Sequence, residues 1–135
     1  MIYSVPISAA ILSGLLFLFP GCIPDEEGQP IPLPTRICVT TKHHDRPIAD
    51  MNIYFKYLCD TFPGYYQPAS YYDTLVVSDK NGYACVGPVP IGKHWIIALG
   101  ADEHAQQLLP VFGRLPVLVD LNQRIKIDTI VYLYE

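Results

Sequence analysis

From residue 35 onward, apolar and polar side chains alternate with a period of two, the pattern of strands with one face buried. In 35–42, Ile37 and Val39 fall on one face and Cys38 and Thr40 on the other. In 51–57, Ile53, Phe55 and Tyr57 alternate with Asn52, Tyr54 and Lys56. The same reading predicts strands over 71–78, 83–86, 93–99, 115–121 and 125–133, giving seven in all. Between the third and fourth lies Asp79-Lys80-Asn81-Gly82, a turn in which Asn and Gly tolerate the positive φ required. Short strands punctuated by Gly, Pro and Asn predict an all-β sandwich or barrel. Two connections, 58–70 and 100–114, are long; structureless loops of that size in a compact domain are often functional, so a binding surface is sought there.

The first 21 residues break the alternation. Residues 2–19 carry no charged side chain, Pro20 stops a helix, and Gly21 and Cys22 supply the small residue and thiol that lipoprotein processing requires. The reading is a lipoprotein signal peptide over 1–21, with Cys22 the acylated first residue of the mature chain. The alternative is an uncleaved helix, since the run is close to the roughly 18 apolar residues that suffice for a span. Both place the domain outside the cytoplasm and tethered to a membrane. Residues 22–34, CIPDEEGQPIPLP, alternate prolines with polar residues and are expected to form an extended tether, leaving one domain over 35–135. Acidic residues just after Cys22 resemble signals that export lipoproteins to the surface of some Gram-negative bacteria. The expected location is therefore the outer membrane, as a periplasmic or surface-facing lipoprotein.

The formal net charge of −4 owes three acids, Asp25, Glu26 and Glu27, to the tether, so the domain itself is nearly neutral. There is no basic stripe, which argues against a nucleic-acid partner. Export permits disulfides, and Cys38, Cys59 and Cys85 follow Cys22 without the C-x-x-C spacing of a zinc or redox site. Cys38 lies early in the first predicted strand and Cys59 just past the second. Antiparallel running puts both at the tether end, so the expected bridge is Cys38–Cys59, with Cys85 a buried thiol.

Two constellations bear on chemistry. Strand counting brings the loops holding His43, His44 and Asp45, then Asp79, then Asp102, Glu103 and His104, to one end of the sandwich. Imidazoles and carboxylates meeting there would bind a divalent metal such as zinc, through His43, His44, Asp102 and His104. The plainer reading, adopted here, is that solvated loops are polar, with no metal and no cofactor. The second constellation is FPGYYQPASYYD, 62–73, in which Phe62, Tyr65, Tyr66, Tyr71 and Tyr72 offer rigid amphipathic contact area for a peptide or glycan. His94, beside Trp95 in a strand, reads as a core or edge residue with a satisfied hydrogen bond and not as a ligand. No G-x-S-x-G elbow, phosphate-cradling glycine loop or H-E-x-x-H pair occurs.

The stretch 47–99, with PIADMNIYF and then VVSDKNGYACVGPVPIGKHWIIALG, resembles the prealbumin-like repeat of carboxypeptidase regulatory-like domains. Pro47 and Ile48 match its first element; Ser78, Asp79, Gly82, Ala84, Val86, Val89, Pro90, Gly92 and His94 occupy its second, with Ala84 and His94 where a large aromatic is usual. Together with FPG at 62–64, YYD at 71–73 and the ending IVYLYE, the chain resembles small Gram-negative lipoproteins that carry this domain. The resemblance implies a seven-stranded Greek-key, prealbumin-like (transthyretin-like) β-sandwich. It also offers two enzyme templates. Transthyretin-like hydroxyisourate hydrolases end in Tyr-Arg-Gly-Ser, whereas this chain has Tyr132, Leu133, Tyr134 and Glu135. Intradiol dioxygenases bind iron through two Tyr and two His, and the spacing here does not match. The expected function is thus a non-catalytic, lipid-anchored envelope module, binding or structural, with an envelope protein, peptide or glycan as partner. The alternatives are a metal-binding protein or small metal-dependent enzyme at the His-rich end, and an accessory subunit of a surface complex docking through exposed strand edges.

Overall fold

The computed structural model describes residues 32–120 and 126–135. The expected signal segment, Cys22 and the tether up to residue 31 lie outside the described residues, as does 121–125. Within them run the strands β1 (Pro32–His43), β2 (Arg46–Pro47), β3 (Asn52–Lys56), β4 (Thr74–Val77), β5 (Tyr83–Pro90), β6 (Gly92–Asp102), β7 (Leu109–Val119) and β8 (Lys126–Tyr132).

The alternation becomes two facing sheets. In one, β1 is flanked by antiparallel β5 and parallel β8, with the two-residue β2 pairing the end of β1. In the other the order is β4-β3-β6-β7, every neighbour antiparallel. The all-β sandwich expected from the pattern is the fold observed. Its core joins Ile37, Val39, Val86 and Val131 from the first sheet to Ile53, Phe55, Ile96, Ala98 and Val119 from the second, all buried. Burial of these apolar faces against each other supplies the main driving force.

Buried polar groups are paired. Thr41 Oγ1 donates to the carbonyl of Ile48 (2.8 Å), and Ser78 Oγ donates to the same carbonyl (3.0 Å) while accepting from the N–H of Met51 (3.0 Å). These bonds hold the segment after β2 against both sheets. In the β4–β5 turn, Asp79 Oδ1 accepts from the N–H groups of Asn81 (2.8 Å) and Tyr83 (3.0 Å). Gly82 there has φ 70°, and a Cβ on it would stand 2.8 Å from the Thr41 carbonyl oxygen. The turn predicted from Asn and Gly therefore forms, and its glycine is required by close approach as well as by φ.

The connection expected over 100–114 is largely strand. β6 and β7 pair without interruption from Gly92↔Val119 to Asp102↔Leu109. Gly100, Pro110 and Gly113 read locally as loop residues, but Pro110 and Gly113 lie on β7, the outermost strand of its sheet, where proline is tolerated. The third strand is shorter than expected, because Ala69–Tyr71 forms a 3-10 turn ahead of Thr74. β1 begins at Pro32, inside the expected tether.

The disulfide also differs from expectation. Cys38 is bonded to Cys85, with a Cα–Cα distance of 4.0 Å, and not to Cys59. The reason is sheet membership. Cys38 and Cys85 are register partners on adjacent antiparallel strands, whereas Cys59 follows β3, which belongs to the opposite sheet. Cys85 is accordingly not a buried thiol.

Candidate functional site

The 57–73 connection leaves β3 at the end of the sandwich that holds the start of β6, anchored where the N–H of Cys59 donates to the carbonyl of Lys93 (3.0 Å). It then folds back along the outer face of the β4-β3-β6-β7 sheet. Residues of that face are fixed by register: Lys56 stands opposite Trp95, Tyr54 opposite Ile97, Ile97 in turn opposite Arg114, and Leu99 opposite Phe112. The loop lays its rings on them. Phe62 packs against Trp95 (ring centroids 5.3 Å) and Tyr65 (4.9 Å), and Tyr65 packs in turn against Phe112 (4.9 Å). Arg114 stacks over Phe62, 4.2 Å from the ring centroid. Farther along, Tyr72 packs on Tyr54 (4.7 Å), and Lys56 Nζ lies 4.7 Å from the centroid of Tyr71 and 3.4 Å from Asp73.

This arrangement divides the five sequence-predicted aromatics. Phe62, Tyr65, Tyr71 and Tyr72 are part-buried members of the platform, while Tyr66 is 99% exposed at the turn beside Gly64 (φ 91°). Ile97, on the outer face, is fully buried beneath the loop. Burial raises the Tyr72 hydroxyl above its ordinary pKa, and the neighbouring Tyr54 and Tyr71 add to the effect. Burial likewise raises Tyr57, whose hydroxyl pairs with Thr74 Oγ1 at 3.1 Å. Trp95, Phe112 and Arg114 complete the platform but were not singled out from sequence, since each reads there as one position of a strand.

The opposite end of the sandwich collects His43, His44 and His104. β1 and β2 are joined by His44 and Asp45, both at positive φ (46° and 62°), a two-residue hairpin turn. Successive strand residues point to opposite faces, but the left-handed turn swings the His44 ring back beside that of His43, with centroids 4.1 Å apart. His43 is 4% exposed, and its Nδ1 lies 2.7 Å from Oδ2 of Asp102, at the end of β6. Asp102, 7% exposed, accepts a second bond at Oδ1 from the N–H of His104 (2.8 Å). These hydrogen bonds, that from His43 first, hold the Asp102 carboxyl below its ordinary pKa against the cost of burial.

Of the four residues expected to meet at this end, His43, His44 and Asp102 do so through side chains. His104 contributes only its backbone N–H. Glu135 joins them instead, with Oε1 3.7 Å from His43 Nε2 and 3.6 Å from His44 Nε2. It is carried there because Leu133 N–H donates to the Lys42 carbonyl (2.8 Å), and Tyr134 exchanges two backbone bonds with Phe112 (2.8 and 2.9 Å).

His94 is a core residue, in keeping with its place beside Trp95 in a strand. It is fully buried; the N–H of Leu58 donates to its Nδ1 (3.1 Å), which leaves Nε2–H to donate to the carbonyl of Pro90 (2.7 Å). Both ring nitrogens are thus committed in the neutral form, and burial depresses the pKa.

No protein-family profile matches the chain, and no curated protein matches it. Among solved structures the chain is similar to the major pilin subunit of Bacillus cereus, at 17% identity and a TM-score of 0.48, over 75% of this chain and 30% of the pilin. The chain thus spans about 30% of that protein's length.

Proposed function

We propose that this chain is a non-catalytic, lipid-anchored binding module of the cell envelope, in which a carboxypeptidase regulatory-like sandwich displays an aromatic face to a peptide or glycan. The observation that carries the reading is the contrast within one loop. Four aromatics are clamped onto the sheet while Tyr66 is 99% exposed, although burying a ring of that size is worth a few kcal/mol. A rigid, pre-ordered loop presenting an aromatic anchor loses little conformational entropy on binding. Arg114 and Lys56, held over neighbouring rings, add charged hydrogen-bond donors at the rim.

The anchor rests on the apolar run ending at Gly21 and Cys22. Acylation there would hold the module at the membrane, with two or more chains giving stable attachment. Exchange of Cys22→Ser then releases the protein into the aqueous phase on detergent partitioning; a mature protein whose Cys22 sulfur carries no lipid overturns the anchor.

Binding is tested with a photo-crosslinking side chain at position 66 in cells. Adducts with an envelope protein identify a peptide partner, and adducts sensitive to glycan hydrolases identify a glycan. Trp95, the chain's single tryptophan, touches Phe62 and serves as an independent reporter, so its emission should shift when the identified partner is titrated in. Absence of any adduct at 66, with Tyr66→Ala cells indistinguishable from wild type in retention of envelope material, would refute the binding reading.

A further inference from the structure

We infer that His43, His44 and Glu135 form a zinc-type divalent metal site that staples the chain's last residues to the β1–β2 turn. Their ligand atoms all lie within 4.8 Å of one another. Zinc takes His nitrogen and carboxylate oxygen at about 2.0–2.2 Å in tetrahedral geometry, which sets neighbouring ligand atoms about 3.3 Å apart. The Glu135 oxygen stands 3.7 Å from one imidazole nitrogen and 3.6 Å from the other, so small side-chain adjustments complete the set. The donors, two imidazoles and a carboxylate, suit zinc rather than calcium or magnesium, which prefer oxygen alone.

A second, independent observation is the wiring behind His43. A metal-ligating histidine characteristically donates its other ring N–H to a carboxylate, which fixes the tautomer and directs the free lone pair at the ion. Here Nδ1 faces the buried Asp102 at 2.7 Å, leaving Nε2 directed toward Glu135 and His44. Asp102 has both oxygens engaged, Oδ1 by the N–H of His104, so it is an orienting group and not a ligand. The left-handed His44–Asp45 turn is the third element, because it is what brings adjacent imidazoles to one side. Three protein ligands leave a fourth position to water.

This site shares no ligand side chain with the aromatic face, although Tyr134, beside Glu135, pairs with Phe112 of that face, and it stands or falls on its own test. The test is titration of the untagged, folded protein with ZnCl2 by isothermal calorimetry, alongside thermal melting. One equivalent should bind, and the melting temperature should rise with zinc because the site exists only in the folded chain. CoCl2 in place of zinc should give the visible d–d absorption of a four-coordinate centre. His44→Ala and Glu135→Gln alter exposed side chains and should fold normally, yet each should weaken zinc binding by 10-fold or more and abolish the cobalt spectrum. Binding of no zinc by the wild type, or equal binding by both variants, overturns the assignment.

Discussion

Breaking the bond between Cys38 and Cys85 with the double substitution Cys38→Ala/Cys85→Ala tests the arrangement of β1 and β5 directly. The two residues are 47 apart in sequence. In the chain-entropy model a closed loop of that size restricts the unfolded state by about 14 cal/mol/K, or about 4 kcal/mol at 25 °C. Small domains are stable by only about 5–15 kcal/mol in total, so the variant should remain folded but lose a large share of that margin. A loss of this size lowers the melting temperature of a domain of about 100 residues by on the order of 20 °C. Equilibrium urea unfolding under non-reducing conditions, followed by Trp95 emission, gives the difference. The denaturant dependence should steepen as well, because the unlinked chain exposes more surface when unfolded. A stability loss below about 1 kcal/mol, or a non-reducing peptide map linking Cys38 to Cys59, would sink the reasoning.

Other outcomes follow from particular contacts. His94 is buried and neutral with a depressed pKa, so below about pH 6.5 the unfolded state binds a proton that the native state refuses, and stability falls as pH falls toward the native pKa. The slope from this one group reaches at most about 1.4 kcal/mol per pH unit; His94→Leu should flatten it in denaturation curves between pH 5 and 7 while costing about 2 kcal/mol for the unpaired Leu58 N–H and Pro90 carbonyl. A slope unchanged by the substitution refutes the assignment. Gly82→Ala combines a left-handed φ with contacts to backbone atoms of Thr41 and Ile48, and should destabilise by about 2–4 kcal/mol in the same assay. Gly113→Ala would drive a Cβ into the Tyr132 carbonyl oxygen and to 2.9 Å from Val131 Cγ1. It should therefore loosen the last residues from β7, reducing stability by about 1–3 kcal/mol and zinc affinity together; an unaffected affinity would separate Glu135 from the site.

Alternation of side chains and turn residues are local properties, and what depends on them was legible in the sequence. The strands and the all-β sandwich follow from period two, because a strand with one apolar face must bury it. The β4–β5 turn follows from Asn81-Gly82, and the satisfied hydrogen bonding of His94 from its place beside Trp95 in a strand. Antiparallel counting was enough to bring His43, His44 and Asp102 to one end, since strand direction alone decides which loops are neighbours.

Tertiary structure decided what depends on partners distant in the chain. Within the domain Cys38 had two candidate partners, Cys59 and Cys85, and only the placing of β5 beside β1, with β3 in the other sheet, selects Cys85. Glu135 reaches the histidines because Leu133 and Tyr134 bridge from β1 to β7, a crossing with no local signature. Tyr65 and Phe62 lie on Phe112 and Trp95 because the long loop folds back over the sheet; composition announces aromatics but gives no direction. The 100–114 segment is the sharpest case. Its two glycines and Pro110 argue for a loop when read locally, and the edge position of β7 makes Pro110 compatible with a continuous ladder to Asp102. Pattern fixes which face of each strand is buried, whereas the free energy of pairing non-local neighbours fixes which residues meet.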